Sequence, residues 1–166
     1  MALKDALLPE FDHEMGATRR VLERIPEADL RWKPHEKSYS LGQLSAHLAN
    51  LPTWVDLTCD LSVFDLASLG EDARPKEPAT TREVVARFDE NVSKARRKLS
   101  EQTDSALMSM WTLQQQGQEF FTMPKIAVLR SFVMNHSIHH RGQLTVYLRL
   151  RNVPLPSIYG PTADEQ

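Results

Sequence analysis

Apolar residues recur every three or four positions along four long stretches of this chain, the spacing of amphipathic α-helices. The pattern predicts a first helix over residues 10–24, which Pro26 closes. A second helix is predicted to begin at Ser40, a third at Thr80, and a fourth to run from Pro124 to about Arg151. Four such helices must bury their apolar faces against one another, which favours a four-helix bundle.

Two of the predicted helix starts carry a capping box. Ser40 is followed three residues later by Gln43, and Thr80 by Glu83. Pro52 interrupts the second helix, so we expect a bend there. The apolar seams of the first three helices are Phe11, Met15, Thr18, Leu22 and Ile25; Leu41, Leu44, Leu48, Leu51 and Val55; and Val84, Phe88, Val92, Ala95 and Leu99.

The connections between helices contain residues that interrupt helical structure. Residues 70–78, with glycine, two prolines and several charges, are predicted to form a loop, and residues 104–110 a short helix. Residues 111–113 and 119–121 could pair as a small hairpin around Gly117. The sequence therefore predicts one all-α domain over residues 1–166: a four-helix bundle, a small hairpin before the last long helix, and an irregular tail over residues 155–166.

The composition excludes several classes of protein. The 166 residues are 41% hydrophobic and 25% charged with a net charge of −2, which is ordinary for a globular protein and lacks the basic face of a nucleic-acid binder. No window is apolar enough to span a membrane, and the first residues lack the apolar core of a signal peptide. The single cysteine, Cys59, excludes an intrachain disulfide, and we interpret it as a packing residue rather than a nucleophile. We expect a cytoplasmic protein.

Histidines carry the candidate chemistry. Three of the six fall within five residues, at His136, His139 and His140. His136 and His140 occupy the apolar seam of the fourth helix and, being four apart, lie on one helical face. His47 occupies the equivalent seam of the second helix. If those faces meet in the bundle, three imidazoles converge on one point and can bind a divalent metal.

Three neutral imidazoles leave a coordination position free, as catalytic sites do, whereas structural zinc sites usually have four protein ligands. Imidazole suits zinc, nickel, iron(II), cobalt and copper(II), so ligand type alone does not name the metal; we expect zinc or nickel, with iron as an alternative. The alternative for each histidine is a hydrogen-bonded core residue. His139 is rotated by about 100° from His140, so we place it beside the site.

Further residues are candidates for a second shell or a substrate pocket. Asn50 and Gln143 each follow a candidate ligand by three residues, and Trp54 and Tyr147 lie one or two turns from ligands. Arg141 could bind a carboxylate, as could Arg149. The alternatives are polar packing for the amides, core packing for the aromatic residues, and exposed salt bridges for the arginines.

Two blocks of sequence carry a family resemblance. The first runs from Trp32-Lys33-Pro34 through the helix that contains His47 and Asn50. The second runs from His136 to Arg149 and continues to Val153-Pro154 and Tyr159-Gly160-Pro161. Both resemble the DinB/YfiT-like family of metalloproteins. The resemblance covers most of the chain, is strongest in these two blocks and is weakest between Cys59 and Met123.

The resemblance implies an up-down-down-up four-helix bundle, often a homodimer, with a divalent metal held by residues that correspond to His47, His136 and His140. It also implies a thiol-dependent activity, because relatives include S-transferases that use bacillithiol and isomerases that use mycothiol. A low-molecular-weight thiol is therefore an expected cosubstrate, and a small electrophile the expected substrate. Fold and site transfer within a family better than the reaction does.

Two further functions remain open. One is a non-catalytic metal-binding or stress-response protein. The other is a metal-dependent hydrolase, which needs a general base near a bound water; the sequence shows no convincing acidic residue next to the three histidines.

Overall fold

The structure is a computed structural model that describes residues 2–69 and 76–165. Most of these residues are helical. Residues 70–75 of the predicted loop and Gln166 of the predicted tail lie outside the described residues. No helix in the described ranges is both long and apolar enough to cross a membrane. The helices are α1 Leu3–Leu22, α2 Leu41–Asn50, α3 Trp54–Asp60, α4 Thr81–Ser100, α5 Asp104–Met108, α6 Lys125–Val128 and α7 His136–Leu150.

The first helix begins seven residues earlier than predicted, because the apolar seam extends toward the N-terminus. Leu7, four residues before Phe11, is buried in the bundle core. Pro9 lies inside the helix and did not stop it. The packing of this face therefore outweighs the backbone hydrogen bond that proline cannot donate.

The predicted caps fix where α2 and α4 begin. At α2, Ser40 Oγ accepts from Gln43 N at 3.0 Å while Gln43 Oε1 accepts from Ser40 N at 3.0 Å. At α4, Thr80 Oγ1 accepts from Glu83 N at 3.1 Å, but Glu83 reaches back to the N–H of Ala79 instead of Thr80. Both helices therefore start at the predicted residues.

Pro52 ends helix α2, whereas the sequence predicted only a bend. The α-helix stops at Asn50, and Leu51–Thr53 form a tight 3₁₀ turn. The chain then continues as α3. His47 consequently lies in the last turn of α2, close to the break.

Ion pairs fix the relative direction of α1 and α4. Arg19 pairs with Asp89 at 2.8 Å, and Asp12 pairs with Arg96 at 2.8 Å. A residue later in α1 thus meets a residue earlier in α4. The two helices are antiparallel.

The last long helix runs in the same direction as α1. Glu10 pairs with Arg130, and Glu14 pairs with Arg141 at 2.8 Å, so the residue numbers increase together. The segment α2–α3 runs antiparallel to the last long helix. His47 contacts His136, whereas Trp54, later in the chain, stacks on Phe132, which comes earlier in the last helix.

Contacts between the second and third long helices complete the bundle. Asn91 donates to the carbonyl of Ala49 at 2.8 Å, and Lys98 pairs with Asp60 at 2.9 Å, so α2–α3 and α4 are parallel. In chain order, the four long helical segments run up, down, down and up. Both α1 and α2 pack against α4 and α7, which places the first two helices on a diagonal.

A three-stranded sheet departs from the expected all-α class, which holds only roughly for this mostly helical chain. The predicted hairpin is confirmed and longer than expected, with β2 Met110–Gln115 antiparallel to β3 Gln118–Pro124. The turn places Gly117 at φ +80°, a conformation that glycine adopts without strain. A strand that the sequence did not predict, β1 Val63–Asp65, pairs in parallel with β2.

The sheet encloses its own small apolar core of Phe64, Trp111, Leu113 and Val128. These residues come from β1, β2 and α6, with Phe121 and Met123 of β3 packed against them, so burial of Phe64 stabilises a strand of only three residues. The start of β2 at Met110 also explains why α5 ends at Met108, two residues before the predicted end.

A seven-residue π-helical segment, Leu129–Asn135, joins α6 to α7 without interrupting the last long helix. The helix ends at Leu150, as the sequence predicted within one residue. The tail after it has no regular structure and is attached by Arg149 to Asp164 and by Arg24 to Glu165.

A buried ion pair links α1 to α7. Arg141 is 2% exposed, and its guanidinium donates to Glu14 Oε2 at 2.8 Å and to the Glu14 carbonyl at 3.0 Å. Tyr159 of the tail completes the network, because its hydroxyl donates to Glu14 Oε2 at 2.7 Å and accepts from Arg141 at 2.5 Å. These bonds satisfy two charges that would otherwise be costly to bury.

We expect Arg141→Met to lower the free energy of unfolding by about 3–5 kcal/mol, because it leaves the Glu14 carboxylate buried without its partner. Urea denaturation of the variant measures this change. The double variant Glu14→Gln, Arg141→Met should lose less than the sum of the two single variants. Additive losses would show that the two side chains stabilise the fold independently.

We expect the thiol of Cys59 to react slowly, because burial raises its pKa to about 11 despite the nearby positive charge of Lys125. A raised pKa leaves little thiolate at pH 7.5, and the fraction grows as pH increases toward 11. Alkylation by iodoacetamide, followed by mass spectrometry, should be on the order of 100-fold slower than in urea-unfolded protein. Equal rates would contradict a protonated, buried thiol.

Candidate metal centre

Three histidine side chains converge where α2 packs against α7. His47 Nε2 lies 3.3 Å from His136 Nε2, which lies 2.9 Å from His140 Nε2. One ring nitrogen from each residue lies within 4.8 Å of the other two. All three side chains are partly buried. The structure therefore brings together the three histidines that the seam argument selected.

Local helix geometry explains the convergence. His136 and His140 stack one turn apart on α7, with ring centroids separated by 4.7 Å. His47 approaches both from α2, with its ring 4.6 Å from that of His140 and nearly perpendicular to it. Because α2 and α7 are antiparallel neighbours in the bundle, their seams meet at this level.

A hydrogen bond assigns the proton of one of these rings. His140 Nδ1 lies 2.7 Å from Gln143 Oε1, an oxygen that can only accept, so Nδ1 carries the proton. The backbone carbonyl of Phe132 favours the protonated form of the His136 ring, whose Nε2 faces the other two imidazoles. Neutral His140 then has a bare Nε2 with its lone pair directed into the cluster.

Two ring nitrogens 2.9 Å apart must share a proton or be bridged by a cation, because two bare lone pairs at that distance repel each other. Zinc–nitrogen bonds of about 2.0–2.1 Å in a tetrahedral site place ligand nitrogens roughly 3.3 Å apart. The observed separations of 2.9 and 3.3 Å are close to that value. The donor set and its spacing thus fit a divalent ion bound by three imidazoles, each held in position by its own helix or hydrogen bond.

Electrostatics favour the neutral form that metal binding requires. Burial, followed by the neighbouring His140 and His136, lowers the pKa of His47 to about 4. Burial also lowers the pKa of His136 and of His140, although their bonds to Phe132 and Gln143 oppose the shift. The rings therefore stay uncharged at neutral pH.

The π-helical segment contributes one of these hydrogen bonds. The backbone N–H of His136 donates to the carbonyl of Val133 instead of that of Phe132, four residues back. The carbonyl of Phe132 is then available to the imidazole of His136. π-Helical turns of this kind frequently occur at functional sites.

A pocket of about 310 Å³ adjoins the histidine cluster at the break between α2 and α3. Trp54 forms one wall, and its ring stacks on Phe132 with centroids 5.8 Å apart. Two residues that the sequence proposed for a pocket, Asn50 and Trp54, are thus beside His47. The described residues that line it are His47, Asn50, Leu51, Thr53, Trp54, Leu57 and Leu69.

The remaining predicted site residues lie in different surroundings. His139 is exposed, with its ring 4.9 Å from that of His140. Tyr147 packs edge-on against Trp32 in the bundle core instead of lining the pocket. Arg141, which the sequence placed at the pocket, binds Glu14 and Tyr159 on the side of α7 that faces α1.

Sequence reasoning missed two aromatic neighbours of the site. Tyr39 lies just before the α2 cap, and its ring centroid is 6.1 Å from that of His47. The four-residue spacing from Tyr39 to Gln43 to His47 was the available signal. Phe132 lies four residues before His136 and could have been found in the same way. No sequence pattern indicated that Leu69 lines the pocket.

Comparisons with known proteins agree with this architecture. A structure of a DinB-like protein from Bacillus cereus ATCC 10987 superimposes with a TM-score of 0.74 at 21% identity, covering 93% of this chain and 97% of that one. YfiT from Bacillus subtilis, described as a probable metal-dependent hydrolase with an unusual four-helix bundle topology, gives 0.65 at 16% identity over 90% and 87%.

A sequence relative extends over nearly the same length. The uncharacterized protein YrdA of Bacillus subtilis strain 168 is 27% identical over 97% of this chain and 90% of its own. The model of the DinB family matches residues 1–166. The chain therefore belongs to the DinB family.

Proposed function

We propose that this protein is a metal-dependent enzyme that binds a divalent ion through His47, His136 and His140 and joins a small thiol to an electrophile. The observation that carries the proposal is the convergence of three imidazole nitrogens beside an uncharged pocket. A single bound cation would use one ring nitrogen of each histidine as a ligand.

The ligand set favours an open, reactive site over a structural one. Among the described residues, no carboxylate or thiol joins the three histidines in a potential metal-binding group. Structural zinc sites are usually closed by four protein ligands. We infer that a fourth position stays available to a reactant.

We propose zinc or nickel as the physiological ion, with iron also compatible with three imidazoles. A divalent ion at this site would lower the pKa of a thiol or a water and so supply a nucleophile at neutral pH. The three imidazoles add no negative charge, which leaves the full charge of the ion to attract an anionic reactant.

The residues of the chain orient the other reactant. In S-transfer, a bond forms between the thiol sulfur and a carbon of the electrophile while the leaving group departs with its electron pair. The thiol proton passes to solvent or to a nearby base. The pocket beside His47 is positioned to hold the electrophile close to the nucleophile, which converts an encounter in solution into a reaction within one complex.

A metal-dependent hydrolase is the second candidate, favoured by the position of His139. This exposed imidazole lies next to His140 and could accept a proton from an attacking water. The structural neighbour YfiT is described as a probable hydrolase of this kind. The third possibility is a non-catalytic metal-binding protein; homodimer formation and a role in stress response stay predictions of the family resemblance.

We expect the purified protein to bind about one divalent ion per chain, and His47→Ala or His140→Ala to abolish stoichiometric binding. Metal analysis after dialysis, and titration of chelator-treated protein with zinc or nickel, measure this. Affinity should fall as pH decreases into the range where the imidazoles become protonated. His35→Ala, at an exposed histidine outside the cluster, is the matched control. Unchanged metal content in the cluster variants would refute the site.

We expect Gln143→Leu to weaken metal binding by roughly 10–100-fold, as is typical when the partner of a metal-ligating histidine is removed. The leucine keeps the size of the side chain but cannot accept the proton of His140 Nδ1. Competition with a calibrated chelator measures the change. A normal affinity would mean that Gln143 does not hold the ring of His140.

Enzyme assays separate the two reaction classes. We expect the metal-loaded protein to conjugate small thiols to electrophiles such as 1-chloro-2,4-dinitrobenzene, and the activity to disappear with chelator. His139→Gln should then have little effect on conjugation. Ester or amide hydrolysis without added thiol, lost in His139→Gln with metal retained, would instead establish the hydrolase.

A further inference from the structure

Among the residues that the structure describes, no ionised side chain lines the pocket beside the metal centre. The described lining consists of four large apolar residues, one threonine, one asparagine and His47. A carboxylate or an ammonium group that entered would lose hydration without gaining an oppositely charged side chain among these residues. The pocket therefore disfavours ionised groups.

The apolar wall is held in a fixed position. Trp54 stacks on Phe132 at an angle of 18° and meets the ring of Phe64 edge-on, with both centroids 5.8 Å away. Packing on two sides limits the rotation of the indole before any ligand arrives. A flat, apolar group can then bind without first ordering the wall.

One polar group in the pocket is uncommitted. The hydroxyl of Thr53 already donates to the carbonyl of Asn50 at 2.8 Å. The carboxamide of Asn50 makes no hydrogen bond to any described residue. It offers both a donor and an acceptor, which matches a neutral carbonyl, amide or hydroxyl group.

We propose that this pocket selects an uncharged, flat and mostly apolar substrate, one of whose neutral polar groups pairs with Asn50. The proposal rests on the proposed function and deepens it, since it assigns this pocket to the electrophile. A thiol that carries carboxylates would find no cationic side chain among the described lining residues.

The test uses three flat probes of nearly equal shape: neutral benzamide, anionic benzoate and cationic benzamidine. Each is titrated into metal-free, full-length protein, so that benzoate cannot bind through a metal. Binding is followed by NMR at the indole N–H of Trp54 and the carboxamide of Asn50, assigned with Trp54→Phe and Asn50→Leu. We expect benzamide to bind at least 10-fold more tightly than either ion and to shift both signals.

Two variants test whether the charge of the pocket wall determines which probe binds most tightly. Leu57→Lys places a cation in the wall, so benzoate should now bind more tightly than benzamide; Leu61→Lys, the same exchange at an exposed position of the neighbouring turn, should leave the order unchanged. If Leu57→Lys fails to fold by circular dichroism, Asn50→Leu carries the test, with at least a 5-fold loss of benzamide affinity expected.

Equal affinities for the three probes, tighter binding of benzoate to the unaltered protein, or shifts confined to residues away from Trp54 and Asn50 would overturn the proposal. Metal analysis is performed separately on the same protein. Failure to bind metal while the preference for benzamide persists would refute the proposed function and leave the selectivity of the pocket intact. Normal metal binding without that preference would refute only the selectivity.

Discussion

The buried ion pair between Glu14 and Arg141 fixes the rotation of the last helix, and the site depends on that rotation. Arg141 immediately follows His140, so the two side chains point about 100° apart. With the guanidinium held against α1 by Glu14 and by Tyr159 of the tail, the preceding imidazole is directed toward α2. Burying an ion pair contributes little net stability, but one strict partner specifies a single helix orientation, and we infer that role here.

That orientation has a direct chemical consequence. It places the Nε2 atoms of His136 and His140 next to that of His47, while a hydrogen bond to Gln143 occupies the opposite ring nitrogen of His140. The π-helical segment belongs to the same arrangement, because it supplies both the Phe132 carbonyl and the aromatic ring that supports Trp54. One irregular stretch of helix thus connects the ligands to the wall of the pocket.

Much of the fold and of the candidate site could be predicted from the apolar seams and the capping residues of the helices. The apolar spacing placed His47, His136 and His140 on inward faces, and the capping residues Ser40 and Thr80 located two helix starts, because these signals depend on local geometry. The strand at Val63–Asp65 could not be found in this way, since three residues show no periodicity and the strand depends on packing against Trp111. Arg141 was misplaced because charge alone suggested exposure or ligand binding, whereas its actual partner lies 127 residues away in sequence.

The most direct test of this account is X-ray absorption spectroscopy of the zinc-loaded protein. We predict three imidazole nitrogens at about 2.0–2.1 Å and one further light atom that does not come from the protein. His140→Ala, which should abolish stoichiometric binding, should remove this signal. A spectrum with sulfur from Cys59, with fewer than three imidazoles, or with four protein ligands would contradict an open three-histidine centre.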